Sequence, residues 1–528
     1  MKNILFIMVD QLRYDYLSCA GHPSLETPNI DGLAMRGVRF AQTYVQSPVC
    51  APSRMSFYTG RYLSTHGSTW NYVPLSVSEH TMGDHLRALG MDLHLVGKSH
   101  VTPDLDGMRR LGIDPQSETG KLVAEGGFRV FERDDGIHAD ATTGEDYAYN
   151  RYLEAKGFGG PNPWHWRANA TGEDSDPRSG WYLENVSAPS RVPAELSETA
   201  YMTDRAMDCI AQQSEPWCVH LSYIKPHWPY VAPAPYNDMY SAEDVIPAVR
   251  DPLELDDPNP VYAAYHEREE SKSFSRDEVR DAVIPVYMGM IRQIDDEIGR
   301  LIDFLEQRGD LENTLIVFTS DHGDYLGDHW LGDKELFHRQ STCVPLIVVD
   351  PSPKADATRG TVSEKFVEAI DLIPTFIEWL GGSIPEHILE GRSLMPLLRS
   401  PESASDDWRE AVFIELDYSF RQQRRDLGIP PHQARAYAIR TEKWNYIYYE
   451  GFPPQLFDLI NDPDELVDHG RDPDYASINQ VLQAQLFDWL RQRARRATIS
   501  DEEIEKRTEV WRKNGIFAGA WSPEEQEK

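Results

Sequence analysis

The chain is predicted to be an α/β protein: a large, doubly wound, mostly parallel sheet flanked by helices, with a smaller C-terminal antiparallel α+β subdomain. Continuous apolar runs such as Ile4 to Val9, Trp217 to Ile224 and Thr314 to Ser320 read as strands covered on both faces. Helical stretches alternate with them, as crossovers between parallel strands require. Short strand-like segments close together after residue 410 predict the second part.

Ile4 to Val9 stops at Asp10, just past its carboxyl end, the edge where open α/β sheets bind ligands. Asp10-Gln11 is therefore a candidate metal-ligand position, although one Asp after a strand is more often a turn residue. Thr27 to Gly37 combines an N-cap residue, Pro28 at the first helical position and a Gly stop, which predicts a short helix. Val38 to Val45 follows as a strand, and the Ser47-Pro48 turn delivers Cys50 at the head of a helix-compatible run reaching Gly60. Ser76-Val77-Ser78-Glu79 reads as a capping box opening a helix that ends near Leu89-Gly90. Leu93 to Gly97 is the next strand and presents Lys98-Ser99-His100.

Residues 101–190 accumulate Gly, Asp, Pro and Trp with little periodicity and are expected to wall a pocket. Ser197 to Gln213 is helical, and the strand Trp217 to Ile224 runs into Lys225-Pro226-His227-Trp228-Pro229-Tyr230. Residues 250–276 read as a polar surface excursion. From Asp281 to about Gln307 an amphipathic helix places Met290, Ile294, Ile298, Leu301 and Leu305 on one face. After Thr314 to Ser320, Asp321-His322-Gly323-Asp324 supplies the second carboxylate that Asp10 needs. Leu346 to Val349 is a strand and Asp371 to Leu380 a helix. Pro401 to Asp407 is a linker, followed by strands at Val412 to Glu415, Ala436 to Thr441, Trp444 to Tyr449 and Leu456 to Leu459, then a helix from Ile478 to Arg495. The predicted units are residues 1–400, 401–498 and a tail, 499–528.

Composition narrows the function. A length of 528 residues suggests two to four units at about 150 residues each. The net charge of −34 argues against nucleic acid and anionic membrane partners, and obliges a site for an anionic substrate to carry its own cations. Five scattered Cys residues read as reduced thiols. The N-terminal apolar run is too short for a signal peptide, and no stretch reaches transmembrane length, so a cytoplasmic protein is expected. The glycosylation patterns at Asn169 and Asn185 are then accidental. Trp511, Ile516, Phe517 and Trp521 have few neighbours in sequence to bury them, so the tail is expected to dock on another subunit of a dimer or tetramer.

Cys50-Ala51-Pro52-Ser53-Arg54 puts a nucleophile and a cation within one turn of a helix start, whose free N–H groups favour an anion. A simple thiolate phosphatase is excluded, because its phosphate cradle needs a longer loop between Cys and Arg than Ala51-Pro52-Ser53. Cys-x-Pro-Ser-Arg followed by Thr59-Gly60-Arg61 resembles the signature of the formylglycine-dependent sulfatases and the related phosphonate monoester hydrolases of the alkaline phosphatase superfamily. The resemblance extends over residues 1 to about 490.

The resemblance implies that Cys50 is oxidised to formylglycine by a formylglycine-generating enzyme, and that the aldehyde hydrate supplies the nucleophilic oxygen. It places Asp10, Gln11, Asp321 and His322, with an oxygen of modified Cys50, around one divalent cation. Carboxylates suit Ca²⁺ or Mg²⁺, and a His nitrogen shifts the preference toward Mn²⁺. Many sulfatases have a second Asp where this chain has Gln11, and Asn or Gln where it has His322, which leaves the metal open. Arg54 would stabilise the hydrate and the metal-bound anion. Lys98, His100, His227 and Lys334 would neutralise developing charge, with His227 or Lys334 as general acid and Asn71 binding a substrate oxygen. Singly, each of these Lys and His residues would be an ordinary surface group; their recurrence after strands gives them weight.

Lys98-x-His100 matches the sulfate-binding pair of true sulfatases. Asp10-Gln11, Asp321-His322, Asn71 to Leu75 and Pro226 to Tyr236 look closer to the phosphonate monoester hydrolases. The function implied is an arylsulfatase-like hydrolase of sulfate monoesters, promiscuous toward related small anionic esters. The alternative is a phosphonate monoester hydrolase or phosphodiesterase. An inactive binding or scaffold protein is disfavoured, because every expected catalytic position is filled.

Overall fold

The computed structural model describes residues 2–138, 140, 147–213, 216–400, 407–493, 496–508, 510 and 514. Its strands are β1 (Asn3–Asp10), β2 (Val38–Tyr44), β3 (Leu93–Gly97), β4 (Arg129–Arg133), β5 (Ala170–Glu173), β6 (Asp176–Ser179), β7 (Cys218–Pro226), β8 (Thr314–Ser320), β9 (Leu346–Val349), β10 (Thr361–Glu368), β11 (Ala411–Asp417), β12 (Arg435–Thr441), β13 (Trp444–Tyr449) and β14 (Gln455–Asp458). The helices that matter to the site are α1 (Pro28–Arg36), α2 (Cys50–Thr59), α3 (Met82–Ala88), α4 (Glu198–Gln212), α5 (Asp277–Arg308), α6 (Leu372–Leu380) and α7 (Ala476–Arg491).

The main sheet has eight strands in the order β10-β2-β9-β8-β1-β7-β3-β4. Only β9 opposes its neighbours β2 and β8, so the sheet is mostly parallel. β1, β7 and β8 are buried along their whole length, which is why their sequences are continuously apolar. Side chains alternate across β1: Leu5, Ile7 and Val9 pack with α1, α4 and α5, whereas Ile4, Phe6 and Met8 pack with α2, α3 and α6. Each fully buried aliphatic side chain contributes about 1.5–3 kcal/mol relative to exposure.

Register decides where the site lies. β3, β7, β1 and β8 are adjacent and parallel, and pairing sets Gly97 beside Ser222, Asp10 beside Pro226 and Val9 beside Ser320. Four carboxyl ends therefore meet on one edge, carrying Lys98-Ser99-His100, Lys225-Pro226-His227, Asp10-Gln11 and Asp321-His322.

The second sheet, β11-β12-β13-β14, is antiparallel. One face packs Ile439, Tyr446 and Leu456 on Leu482, Leu486 and Trp489 of α7. Its other face joins Val412, Ile414, Ala438 and Ile447 to Tyr44, Val49 and Trp70, so it buttresses the segments leading to and following α2.

Several expected elements move. The helix expected from Ser76 begins at Met82, because Thr81 and Asp84 form the capping box while Glu79 pairs with Arg61. Thr27 does not cap α1; its hydroxyl bonds to Ser18. Residues 250–276 are not a purely polar excursion: helices Pro260–His266 and Glu269–Phe274 bury Val261, Tyr262, Tyr265 and Phe274. α5 starts at Asp277, and Gly289 lets the chain after β7 lie on it, since a Cβ there would stand 1.8 Å from the Tyr236 carbonyl oxygen. α7 ends at Arg491. All but Asp407 of the expected linker, and Trp511, Ile516, Phe517 and Trp521 of the tail, lie outside the described residues. Among the described residues no helix is long and apolar enough to cross a membrane. All five cysteines are free thiols.

Candidate active site

Val49 is extended and Cys50 is the first residue of α2, a helix buried on every side and closed by Gly60 at φ 66°. Asn71 Oδ1 accepts from Ala51 N at 3.0 Å, satisfying one of the helix's free donors. Cys50 is thereby held at the strand-end edge, with Sγ 3.0 Å from His322 Nε2.

Ligand atoms of Asp10, Cys50, Asp321 and His322 lie within 4.8 Å of one another, and all four residues are buried. Three details suit this group to a divalent cation. Asp10 Oδ1 is buried with no hydrogen-bond partner, a costly state for a carboxylate oxygen unless a cation faces it. His322 Nδ1 donates to the Gly323 carbonyl at 2.9 Å, leaving the Nε2 lone pair directed at the cluster. Asp10 Oδ1 and Asp321 Oδ1 stand 3.6 and 3.7 Å from that nitrogen, closing the group on itself.

Cations enclose these carboxylates. Arg54 is fully buried and donates from Nε to Asp321 Oδ2 at 2.7 Å, from Nη2 to Asp10 Oδ2 at 3.4 Å and from Nη1 to Lys98 O and Ser222 Oγ, each at 2.8 Å. Its expected contact with the nucleophile gives way to this bridging of both carboxylates. Lys98 Nζ donates to Asp10 Oδ2. Burial pushes the Asp10 carboxyl up, but Lys98, His227 and Arg54 together outweigh it and hold the acid well below the usual range. Burial likewise raises the Cys50 thiol, and Lys334, Lys98 and His322 together hold it far below an ordinary thiol. His100 sits at φ 57°, its Nδ1 buried without a partner, and Asp135 Oδ1 accepts from both Ser99 N and His100 N at 2.9 Å.

On the other side, Lys334 Nζ donates to Gln11 Oε1 at 2.9 Å and lies 3.4 Å from His227 Nε2. Burial lowers Lys334, and Asp333, Cys50, Asp10 and Asp321 together more than restore it, so this amine stays charged. Gln11 Nε2 donates to Asp324 Oδ2 at 2.5 Å and to Asp333 Oδ1 at 3.2 Å. The Gln11 carboxamide, expected among the metal ligands, is thus engaged in joining Lys334 to two acids; only its backbone N reaches the cluster, on Asp321 Oδ1 at 3.1 Å. Asn71 commits its side-chain oxygen to α2, so binding a substrate oxygen would fall to its Nδ2 donor.

Residues that sequence reasoning passed over include Asp135, Ser222, Tyr230, Asp324 and Asp333. Tyr230 OH donates to Asp324 at 2.7 Å, and burial with the neighbouring Asp333 pushes the Asp324 carboxyl up to about 6. Asp324 carried a signal, since it closes Asp-His-Gly-Asp after β8. From residues 101–190, Asp135 supports His100 and Asn169 contacts Lys225.

A family model described as Sulfatase matches residues 2–383, and one described as N-sulphoglucosamine sulphohydrolase, C-terminal, matches residues 327–492. The chain is 31% identical to the multifunctional alkaline phosphatase superfamily protein PehA of Trinickia caryophylli, over 92% of this chain and 95% of that one. It is 27% identical to an arylsulfatase of Clostridium perfringens, over 91% and 97%. Among solved structures, the phosphonate monoester hydrolase of Silicibacter pomeroyi superposes with a TM-score of 0.82 at 28% identity, covering 95% of this chain and 98% of that one.

Proposed function

The chain belongs to the sulfatase family of the alkaline phosphatase superfamily, and on that premise we propose that it hydrolyses sulfate monoesters with Cys50, matured to formylglycine, as the nucleophilic residue. The observation that carries the reading is the placing of Lys98, buried on Asp10, and of the half-buried His100 beside Cys50 at the β3 end. Sulfuryl transfer from a monoanionic ester to an alkoxide passes through a dianionic transition state whose nonbridging oxygens need fixed charge and donors. Lys98 supplies the charge, and His100, which burial and Lys98 hold toward its neutral form, supplies a ring N–H.

The Cys50 Sγ marks where the matured residue would carry its hydroxyl oxygen. Asp10, Asp321, His322 and residue 50 would hold one divalent cation, Mn²⁺ or Ca²⁺; when bound it would polarise a substrate oxygen and acidify that hydroxyl. Arg54 binds both carboxylates and keeps them aimed inward. Asn71 and the α2 amides hold residue 50 in line. His227 Nδ1 donates to the Trp228 carbonyl at 3.0 Å, so Nε2 accepts from Lys334 Nζ, and the pair holds a proton for the leaving oxygen.

A second reading, hydrolysis of phosphonate monoesters, is favoured by the likeness to the Silicibacter pomeroyi enzyme. The test is kcat/KM for an aryl sulfate and an aryl phosphonate monoester on one preparation, with Cys50→Ala as control. A sulfate preference lost in the variant supports the first reading, a phosphonate preference the second, and activity surviving in Cys50→Ala would sink both.

A further inference from the structure

A second buried cation lies on the same strand edge and outside the cluster just described. Lys225, the penultimate residue of β7, is 6% exposed. Its Nζ donates to Asn169 Oδ1 and to the Pro229 carbonyl, each at 2.6 Å. The second bond joins residues 225 and 229 across the turn that has His227 at its centre. His227 N donates to Ile224 O at 3.1 Å, its Nδ1 to Trp228 O, and its Nε2 meets Lys334. The backbone and Nδ1 contacts of His227 therefore lie within the short stretch around the turn that Lys225 closes, and the Nε2 contact to Lys334 depends on how that turn is held.

The first bond anchors that closure to a fixed point. Asn169 is buried, donates from Nδ2 to the Trp164 carbonyl at 3.1 Å and accepts Gly180 N on its backbone oxygen. Behind it Glu198, also buried, takes the Trp164 indole N–H at 2.6 Å and leaves Oε2 without a partner. Burial lowers the Lys225 amine to about 8, and Glu198 works against that fall. An ammonium with two neutral acceptors and a distant counter-charge is an expensive way to fill a core, since an apolar side chain of the same length would cost less. Its presence calls for a role that packing alone does not supply.

We infer that Lys225 is a positioning residue for His227, bracing the 225–229 turn so that the imidazole and Lys334 meet the leaving oxygen. The inference rests on the proposed assignment of His227 and Lys334 to leaving-group protonation. It has a signature that a structural role lacks. A poor leaving group needs its proton and a good one scarcely does, so loosening His227 should penalise substrates in order of the basicity of the departing phenoxide.

The experiment measures kcat/KM over a series of aryl sulfates of graded phenol pKa, or aryl phosphonates if the wild type prefers them, for wild type, Lys225→Met and Lys225→Arg. Expected for Lys225→Met is a loss of at least about tenfold with the most basic phenoxide, within the range of general-acid contributions. With the least basic the loss stays within about threefold, so the leaving-group slope steepens. Lys225→Arg, which keeps charge and donors, should recover part of it. Asn169→Ala, which removes one of the two acceptors, carries the same test if Lys225→Met does not fold. An unchanged slope, whether activity falls uniformly or not at all, overturns the inference. Failure of the underlying reading shows separately, as a wild type without activity on either ester class or as a His227→Ala variant whose leaving-group slope equals that of wild type.

Discussion

His322 Nε2 lies 3.0 Å from Cys50 Sγ although 272 residues separate them. The approach follows from topology: β8 delivers one and the turn after β2 delivers the other, and β2 and β8 run the same way because both oppose β9. The two residues belong to a group whose remaining members, Asp10 and Asp321, are each tied to Arg54.

Removing the metal should abolish turnover, and Asp10→Asn should do so by losing the ion. The substitution keeps size but removes the charge that faces the cluster through an otherwise unpartnered Oδ1. Elemental analysis of the purified variant checks this directly. Full metal occupancy in Asp10→Asn would show that the ion, if any, binds elsewhere.

Arg54→Lys should behave as a severe substitution. A lysine has no planar fork to span Asp10, Asp321, the Lys98 carbonyl and Ser222 at once. Loss of such an orienting partner weakens metal binding by roughly 10–100-fold. Titration of chelator against activity reads the change, and a midpoint equal to wild type would refute it.

The strands were legible because β1, β7 and β8 are covered on both faces, and their polar successors marked the site edge. Arg54 was legible as a buried partner of an anion but not as the bridge between two carboxylates, since sequence gives a charge without its direction. Asp324 was marked by its place in Asp-His-Gly-Asp, but its pairing, like Asp333 altogether, was hidden because their partner Gln11 lies more than 300 residues away. Charges on the exposed sides of residues 250–276 masked the apolar contacts of Tyr262, Tyr265 and Phe274. Leu346 to Val349 read correctly as a strand, but an apolar run carries no sign of its antiparallel direction.

Stability should fall between about pH 5 and pH 8 in part through Glu415. Burial raises its carboxyl to about 7 from 4.5, with Ser64 N and Oγ pulling the other way. An acid whose folded pKa is raised costs nothing below its unfolded pKa, and the full amount once pH exceeds the folded value. The gap corresponds to about 3 kcal/mol above pH 7. Glu415→Gln keeps an acceptor for Ser64 and cannot ionise. Denaturant melts should give equal stability for the two proteins near pH 4 and a more stable variant at pH 8; parallel pH curves would disprove the assignment.

Asp135 offers the sharpest separation of charge from geometry. Its Oδ1 accepts from Ser99 N and His100 N, while Oδ2 takes Arg133 Nη2 at 2.6 Å. His100 holds φ 57°, a left-handed conformation that costs a non-glycine residue about 1–3 kcal/mol and persists only where its surroundings enforce it. The two amide bonds are that enforcement. Asp135→Ala removes both, so the backbone at His100 should relax and carry the imidazole away from residue 50. A displacement of about 1 Å can cost on the order of 100-fold in rate. Asp135→Asn leaves the oxygen that accepts from the two amides in place and forfeits the charge and both Arg133 bonds, which end on Oδ2, so its kcat/KM should remain within about tenfold of wild type. Steady-state kinetics on the pair, beside a thermal melt of each, distinguishes the cases. Equal losses in the two variants would mean that the carboxylate acts through its charge, and that the His100 conformation is held by something else.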